Sequence, residues 1–364
     1  MNRIGKRPFL PLIVFALIFV FIVGCSSQEE AASTEEAGSD SASNEENTEE
    51  STEASTDESA GYPLTIEHAF GETVIEEKPE RVATVQWGNQ DVALALGVEP
   101  VGFSAANFGV QDDSGLLPWT KEKLDELGVE DPNVFQDTDG LDFEAISDSN
   151  PDVILAAYSG ITQEDYDLLT EIAPVVAYPE AAWATSWREQ VTMNARGMGM
   201  EEEGQQLIEE TETLVEEKLA EYPQIDGKKM VWTNFSGDDL SQLHIYTPAD
   251  SRVKFLNEMG LTFPESVTDL IEDPESYSLN LSSENAQALS DADILIGYGE
   301  SEMLETLQND PLLGEIPAIR RGSVAFIESD SPIVAAGTPN PLSISYTIDE
   351  YLELIGEAVD KAAE

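Results

Sequence analysis

Cysteine, histidine and positive charge are the scarce ingredients of this 364-residue chain. Cys25 is the single cysteine, so no internal disulfide is possible. The two histidines, His68 and His244, fall in different halves of the chain. A zinc or manganese site built from several His and carboxylate donors therefore lacks its ligands, and each histidine reads as an ordinary sheet residue. Lys and Arg number 17 against 73 Asp and Glu, for a net charge of −56. That balance excludes nucleic acid and anionic membrane surfaces as natural partners, because both demand a basic face. No Gly-x-Ser-x-Gly elbow, phosphate-cradling glycine loop or metal-hydrolase helix is present. The carboxylates are too numerous and scattered to mark an acid–base pair, so no enzyme is expected.

What is present begins with an address. Arg3, Lys6 and Arg7 precede an almost unbroken apolar run from Phe9 to Val23, short for a membrane span and followed by small residues. Residues 1–24 are therefore expected to be a signal peptide. Its end, Ile22-Val23-Gly24-Cys25, resembles the bacterial lipoprotein signal, in which the cysteine becomes the lipidated first residue. A buried acyl chain contributes about 0.8 kcal/mol per methylene to membrane attachment. Residues 25–61 hold Ser, Glu, Thr and Ala with no aromatic, Lys or Arg. Such a segment cannot bury enough apolar surface to offset its chain entropy, and it is expected to be a disordered spacer. Residues 62–364 keep 61 of the acidic and 14 of the basic residues, a net charge of about −47. A surface of that kind stays soluble where salt screens its self-repulsion, which points to a salt-tolerant source.

The folded part is arranged around residues 200–222. Leu207, Ile208, Thr211, Leu214, Val215 and Leu219 recur with a helical period. Glu201, Glu202 and Glu203 suit the first turn and Lys218 the last, while Pro223 ends the helix at Tyr222. On either side lies about one domain's length in which short apolar strands alternate with helical patterns. The predicted architecture is α/β: two Rossmann-like lobes, 62–199 and 223–364, with mainly parallel sheets, joined by one long interlobe helix. An internal echo supports related lobes. Leu141-Asp-Phe-Glu144 precedes the strand ending at Tyr158, and Leu281-Ser-Ser-Glu284 precedes the strand ending at Tyr298.

In open α/β sheets ligands bind outside the carboxyl ends of the strands. In the first half that rule selects the loops beginning at Gln86-Trp87, Ser104, Tyr158-Ser159 and Tyr178 to Trp187. In the second it selects those at Asn234-Phe235, Thr247, Tyr298 and Glu328. The candidate ligand residues are Trp87, Tyr158, Trp183, Trp187, Tyr246 and Tyr298, with Phe108 and Phe235 nearby. Arg188 and Arg252 are the cations closest to these loops.

Several segments in register resemble the iron-siderophore substrate-binding lipoproteins of ABC importers. They include Gly71-Glu-Thr-Val-Ile-Glu-Glu-Lys-Pro-Glu-Arg-Val82, Asp91-Val-Ala-Leu-Ala-Leu-Gly-Val-Glu-Pro-Val-Gly102 and Pro151-Asp-Val-Ile-Leu-Ala156. Tyr158-Ser-Gly-Ile-Thr-Gln-Glu-Asp-Tyr166, Trp187-Arg-Glu-Gln190 and Tyr246-Thr-Pro-Ala-Asp-Ser-Arg252 belong to the same series. The resemblance covers nearly everything from Tyr62 onward and implies two lobes on a helical strut with little hinge motion. It implies a ferric siderophore as ligand, its iron held by the chelator, with no protein metal site and no cofactor. Aromatic walls with a few guanidinium or hydroxyl donors suit such a chelate. Only six arginines follow the signal, which favours a weakly charged hydroxamate or hydroxamate–carboxylate complex over an anionic tris-catecholate. Cobalamin or haem on the same fold is the alternative cargo, and an exported enzyme a more remote one. The resemblance further implies that Glu144 and Glu284 meet arginines of an ABC permease. It also implies that Cys25 carries the lipid (palmitate) on the outer face of a Gram-positive cell membrane, with the protein acting as a monomer.

Overall fold

The computed structural model describes residues 61–363, apart from 111, 138, 236–238 and 330. The expected signal peptide, Cys25 and all but the last residue of the acidic spacer lie outside the described residues. Alternation in Leu64–His68 (β1) and Gly71–Ile75 (β2) buries Ile66 and Ile75 on one face of an antiparallel hairpin. Gly71 turns the chain with φ +123°, where a side chain would be strained.

The first sheet takes the continuous apolar runs, which suit strands covered on both faces. It contains β3 (Val82–Thr84), β4 (Gly102–Ser104), β5 (Val134–Phe135), β6 (Val153–Ala156) and β7 (Val175–Ala177). Their order is 5-4-3-6-7 and every pairing is parallel. The helices between and after them are α1 (Asn89–Ala95), α2 (Pro118–Leu127), α3 (Phe143–Asp148), α4 (Gln163–Thr170) and α5 (Trp187–Gly197). The Ser186–Glu189 spacing opens α5 as a reciprocal capping box, and Thr162–Asp165 does the same for α4.

The strut, α6 (Glu201–Leu219), ends three residues before the Tyr222 limit set by Pro223. Its last carbonyls are taken by i+3 bonds from Glu221 and Tyr222, which tighten the chain before the proline. A Cβ on Gly204 would stand 2.4 Å from the Ala195 methyl, so this glycine lets α5 and α6 pack closely.

Past a 3-10 turn at Pro223–Ile225, the second half holds β8 (Met230–Asn234), β9 (Gln242–Tyr246), α7 (Ser251–Glu258), α8 (Glu265–Thr268) and β10 (Ser278–Ser282). Then come β11 (Ile294–Tyr298), α9 (Met303–Asn309), α10 (Pro317–Arg321), β12 (Val324–Ile327), α11 (Ile333–Ala336) and α12 (Pro341–Ala363). The sheet order is 10-9-8-11-12. β8, β11 and β12 are parallel, but β9 runs against β8 and β10 against β9. The second sheet is therefore mixed rather than mainly parallel. The seven residues between β8 and β9 are too few for a crossover, so they can join only antiparallel neighbours. The sequence pattern predicts a helix over Ser283–Leu289, and the structure places a 3-10 segment there, Ser283–Asp291.

The helical period near the C-terminus predicts a helix over Ile348–Ala363, and α12 begins seven residues earlier, at Pro341. It packs on α6 and reaches α1 and α2 of the first half as well as β11 and β12 of the second. One apolar cluster consequently runs from Val92, Trp119, Trp187 and Ile208 to Trp232, Ile294, Tyr351 and Ile355. The lobes share a core as well as a strut. Among the described residues no helix is long and apolar enough to cross a membrane.

Candidate ligand-binding cleft

A cavity of about 330 Å³ opens between the lobes. The first lobe supplies residues that follow the carboxyl ends of β3 to β7: Gln86, Trp87, Ser104, Asn107, Phe108, Asp137, Tyr158 and Trp183. The second supplies His244, Tyr246, Asp250, Arg252, Tyr277 and Thr338. The asymmetry follows from the sheets. With β9 reversed, the carboxyl ends of the second sheet point two ways, and the cavity takes β9, the start of α7 and the approach to β10. Phe235 is fully buried in the second lobe's core, and Glu328 lines a different surface groove.

Arg252 is the centre of the second wall. Asp250 caps α7 by accepting from the Arg252 amide at 2.8 Å, and Arg252 Nη1 donates to both its oxygens, at 3.2 and 2.9 Å. Arg252 Nε donates to the Tyr298 hydroxyl at 2.9 Å, and the guanidinium carbon lies 4.4 Å from the Tyr246 ring centre. Burial opposes the charge on Arg252, but Asp250 and the surrounding phenols outweigh it and hold its pKa well above the ordinary value. Burial likewise pushes the Asp250 carboxyl up, and Arg252 pulls it back. Among the described residues Arg252 Nη2 has no hydrogen-bond partner. A planar donor edge is thus left over at the cavity wall. Tyr298 stands behind it, supporting Arg252 and meeting Phe108 edge-on at 5.6 Å, rather than lining the cavity itself.

On the first wall Tyr158 is nearly buried, and Trp183 meets it edge-on at 5.4 Å. Burial pushes the Tyr158 phenol up to about 12, and burial raises Tyr246 too, so both remain neutral hydroxyls at physiological pH. Gln86 and Trp183 both sit at positive φ, 64° and 62°, strained conformations that cluster at this rim. The Gln86 amide donates to Ser104 Oγ at 2.7 Å, and the Ser104 hydroxyl donates to Asp137. Burial raises the Asp137 carboxyl, and the Ser104 bond opposes that shift. His244 faces the cavity with its ring edge-on to Tyr246, while His68 bonds Thr73 inside the β1–β2 hairpin. Among the described residues no group of three or more His, Cys, Asp or Glu side chains is placed to hold a metal ion.

Of the eight candidates, Trp87, Tyr158, Trp183, Tyr246 and Arg252 come together at the cavity, with Tyr298 just behind. Trp187 and Arg188 do not line it, which corrects the expectation for them. Trp187 is buried with its indole N–H donating to Glu258 at 3.0 Å, and Arg188 pairs with Glu212 of α6 and Glu258 of α7. They clamp the two lobes to the strut. Asn107, Asp137, His244 and Tyr277 were not singled out as ligand residues from the sequence. Asp137 follows a two-residue strand too short to show a period, although its Asp-Thr-Asp-Gly run is a turn signal. Glu144 and Glu284 are exposed, at the first turn of α3 and of the 3-10 segment after β10.

Known proteins resemble this chain in sequence and fold. PiaA from Streptococcus pneumoniae TIGR4, solved in complex with ferrichrome, is 51% identical with a TM-score of 0.79; the match covers 82% of this chain and 99% of that one. The probable siderophore-binding lipoprotein YfiY of Bacillus subtilis (strain 168) is 24% identical over 297 residues, 80% of this chain and 79% of its own. The Fe(3+) dicitrate-binding periplasmic protein FecB of Escherichia coli (strain K12) is 23% identical over 290 residues, 75% of this chain and 87% of its own. These relatives are binding proteins, not enzymes. The periplasmic binding protein family matches residues 82–331, more than half of the sequence, and this chain belongs to that family.

Proposed function

We propose that this protein captures a ferric siderophore of the hydroxamate type outside the cell and hands it to an ABC permease. The observation that carries the reading is Arg252. It is a guanidinium fixed by Asp250 and Tyr298, with Nη2 unengaged among the described residues, set among Tyr246, Tyr158, Trp183 and Trp87. Hydroxamate oxygens around iron are acceptors for such an edge, and the chelate's apolar exterior suits the rings. The 51% identity with PiaA, solved with ferrichrome, supports the hydroxamate class. Asp250 already neutralises the one cleft arginine, so a highly anionic catecholate complex finds no surplus of positive charge.

In the same reading residues 1–24 are removed, Cys25 is lipidated and residues 25–61 form the tether. The lobes are residues 62–199 and 223–364, with 200–222 between them. Glu144 on one lobe and Glu284 on the other face the permease. Titration of tryptophan fluorescence with ferrichrome, ferric enterobactin and ferric dicitrate tests the ligand class. Submicromolar binding of ferrichrome with weak or no binding of the other two is expected. Preference for the catecholate, or a visible spectrum of haem or cobalamin in protein purified from iron-limited cells, would overturn it.

A further inference from the structure

We infer that Asp137 sets the charge selectivity of the cleft, favouring ferric chelates with a pendant ammonium over neutral ones and rejecting anionic ones. This deepens the siderophore reading and rests on it.

Among the described residues the cavity wall holds three carboxylate or guanidinium side chains: Asp137, Asp250 and Arg252. Two of them cancel, since the buried Asp250 carboxylate is bonded to the part-buried Arg252 guanidinium. Asp137 is left. Among the described residues no Lys or Arg lies within ion-pair distance of it. Its orientation is set from behind, because Ser104 accepts from the Gln86 amide and must turn its hydroxyl hydrogen toward Asp137. The carboxylate is therefore held in place at the cavity wall without being neutralised. It sits on the first lobe, and the guanidinium fork of Arg252 belongs to the second. A chelate whose hydroxamate oxygens meet Arg252 presents its far side to the Asp137 wall. A cationic arm there gains a partly desolvated ion pair, and an anionic arm meets repulsion. The acidic surface around the cleft adds to the field in the same sense.

The test uses the full-length protein and two chelates that differ only in charge: ferrioxamine B, a trihydroxamate ending in a primary ammonium, and its neutral N-acetyl derivative. The wild type is expected to bind the cation about fivefold more tightly at low salt, the scale of a partly exposed ion pair. The ratio should shrink toward one near 1 M KCl, where the screening length falls to about 3 Å. In Asp137→Asn the ratio at low salt should fall toward one, leaving only the weak contribution of the acidic surface, because the amide still accepts from Ser104 but carries no charge. A wild-type ratio of one or below, a ratio insensitive to salt, or a ratio unchanged in Asp137→Asn overturns the inference. Asp137→Ala, which likewise removes the charge, gives the same comparison should Asp137→Asn fail to fold. Equal binding of both chelates sinks this inference alone, whereas failure to bind either one sinks the siderophore reading with it.

Discussion

Gly160 shows how a site is shaped by a missing atom. Its backbone needs no glycine, since its φ is not in the left-handed region, yet a Cβ there would lie 2.3 Å from Trp183 Nε1 and 2.4 Å from Cε2. The indole lies flat across the bare position, which lets it reach Tyr158. Gly160→Ala should leave the fold intact, because the ring stands at a cavity with room to move. It should displace Trp183 and weaken ferrichrome binding about tenfold, in keeping with the cost of overpacking. A titration should also show a smaller fluorescence change on binding, and full wild-type affinity would mean that Trp183 is not part of the wall. The sequence made Trp183 visible as an aromatic in the right loop, but not its dependence on Gly160, which is a contact between side chains. The error over Trp187 and Arg188 has the same source. They stand one and two residues past a capping serine at a loop end, as a ligand pair would. Only the positions of Glu212 and Glu258 on other helices show that they serve as a clamp.

At the scale of elements, the least legible feature was the binding of α1, α2 and α12 to one buried carboxylate. Asp91 in α1 is inaccessible, and it accepts from Trp119 Nε1 at 2.9 Å, Thr120 Oγ1 at 2.7 Å and Asn340 Nδ2 at 2.9 Å. Asn340 also accepts from the Ser343 amide at 3.0 Å and so caps α12. The Asn-Pro-Leu-Ser run is a helix-start signal with proline at the first helical position. Period alone placed the start seven residues later. Strand positions such as those of β6 and β11, by contrast, were legible, because continuous apolar runs fix them locally. Strand direction was not, since the antiparallel β9 and β10 depend on which neighbour each finds. Burial raises Asp91 to about 6, against the ordinary 3.8, and its three hydrogen bonds only partly offset this. Its protonated form is thus the one favoured by folding. The stability it contributes is fully present below the unfolded-state pKa and is lost as pH rises through about 6, by about 3 kcal/mol. Asp91→Asn keeps two acceptor contacts at one atom and reverses the bond with Thr120, whose hydroxyl can accept. Urea unfolding at pH 4 and pH 7 should show the wild type losing more stability over that interval than the variant. Identical slopes would mean Asp91 titrates normally.

At the scale of the whole molecule, function has to be separated from a surface that is acidic everywhere. Residues 62–364 carry 61 carboxylates, so attraction toward a basic permease needs no particular pair of them. Orientation does. Glu144 and Glu284 open equivalent segments of different lobes, both are exposed, and neither has an ion-pair partner among the described residues. If each receives a guanidinium, the paired charge-assisted bonds fix how the cleft faces the transporter. Replacing two carboxylates of 61 barely alters the overall field, so a large effect must come from position. Glu144→Ala with Glu284→Ala should reduce siderophore-dependent iron uptake at least tenfold while ferrichrome affinity stays at the wild-type value, since neither residue lines the cavity. Glu201→Ala with Glu202→Ala, on the exposed first turn of α6, removes the same charge and should leave uptake nearly unchanged. Equal loss from both pairs would reduce docking to bulk electrostatics. In that case raising the ionic strength of the uptake medium should abolish transport by the wild type as thoroughly as the substitutions do.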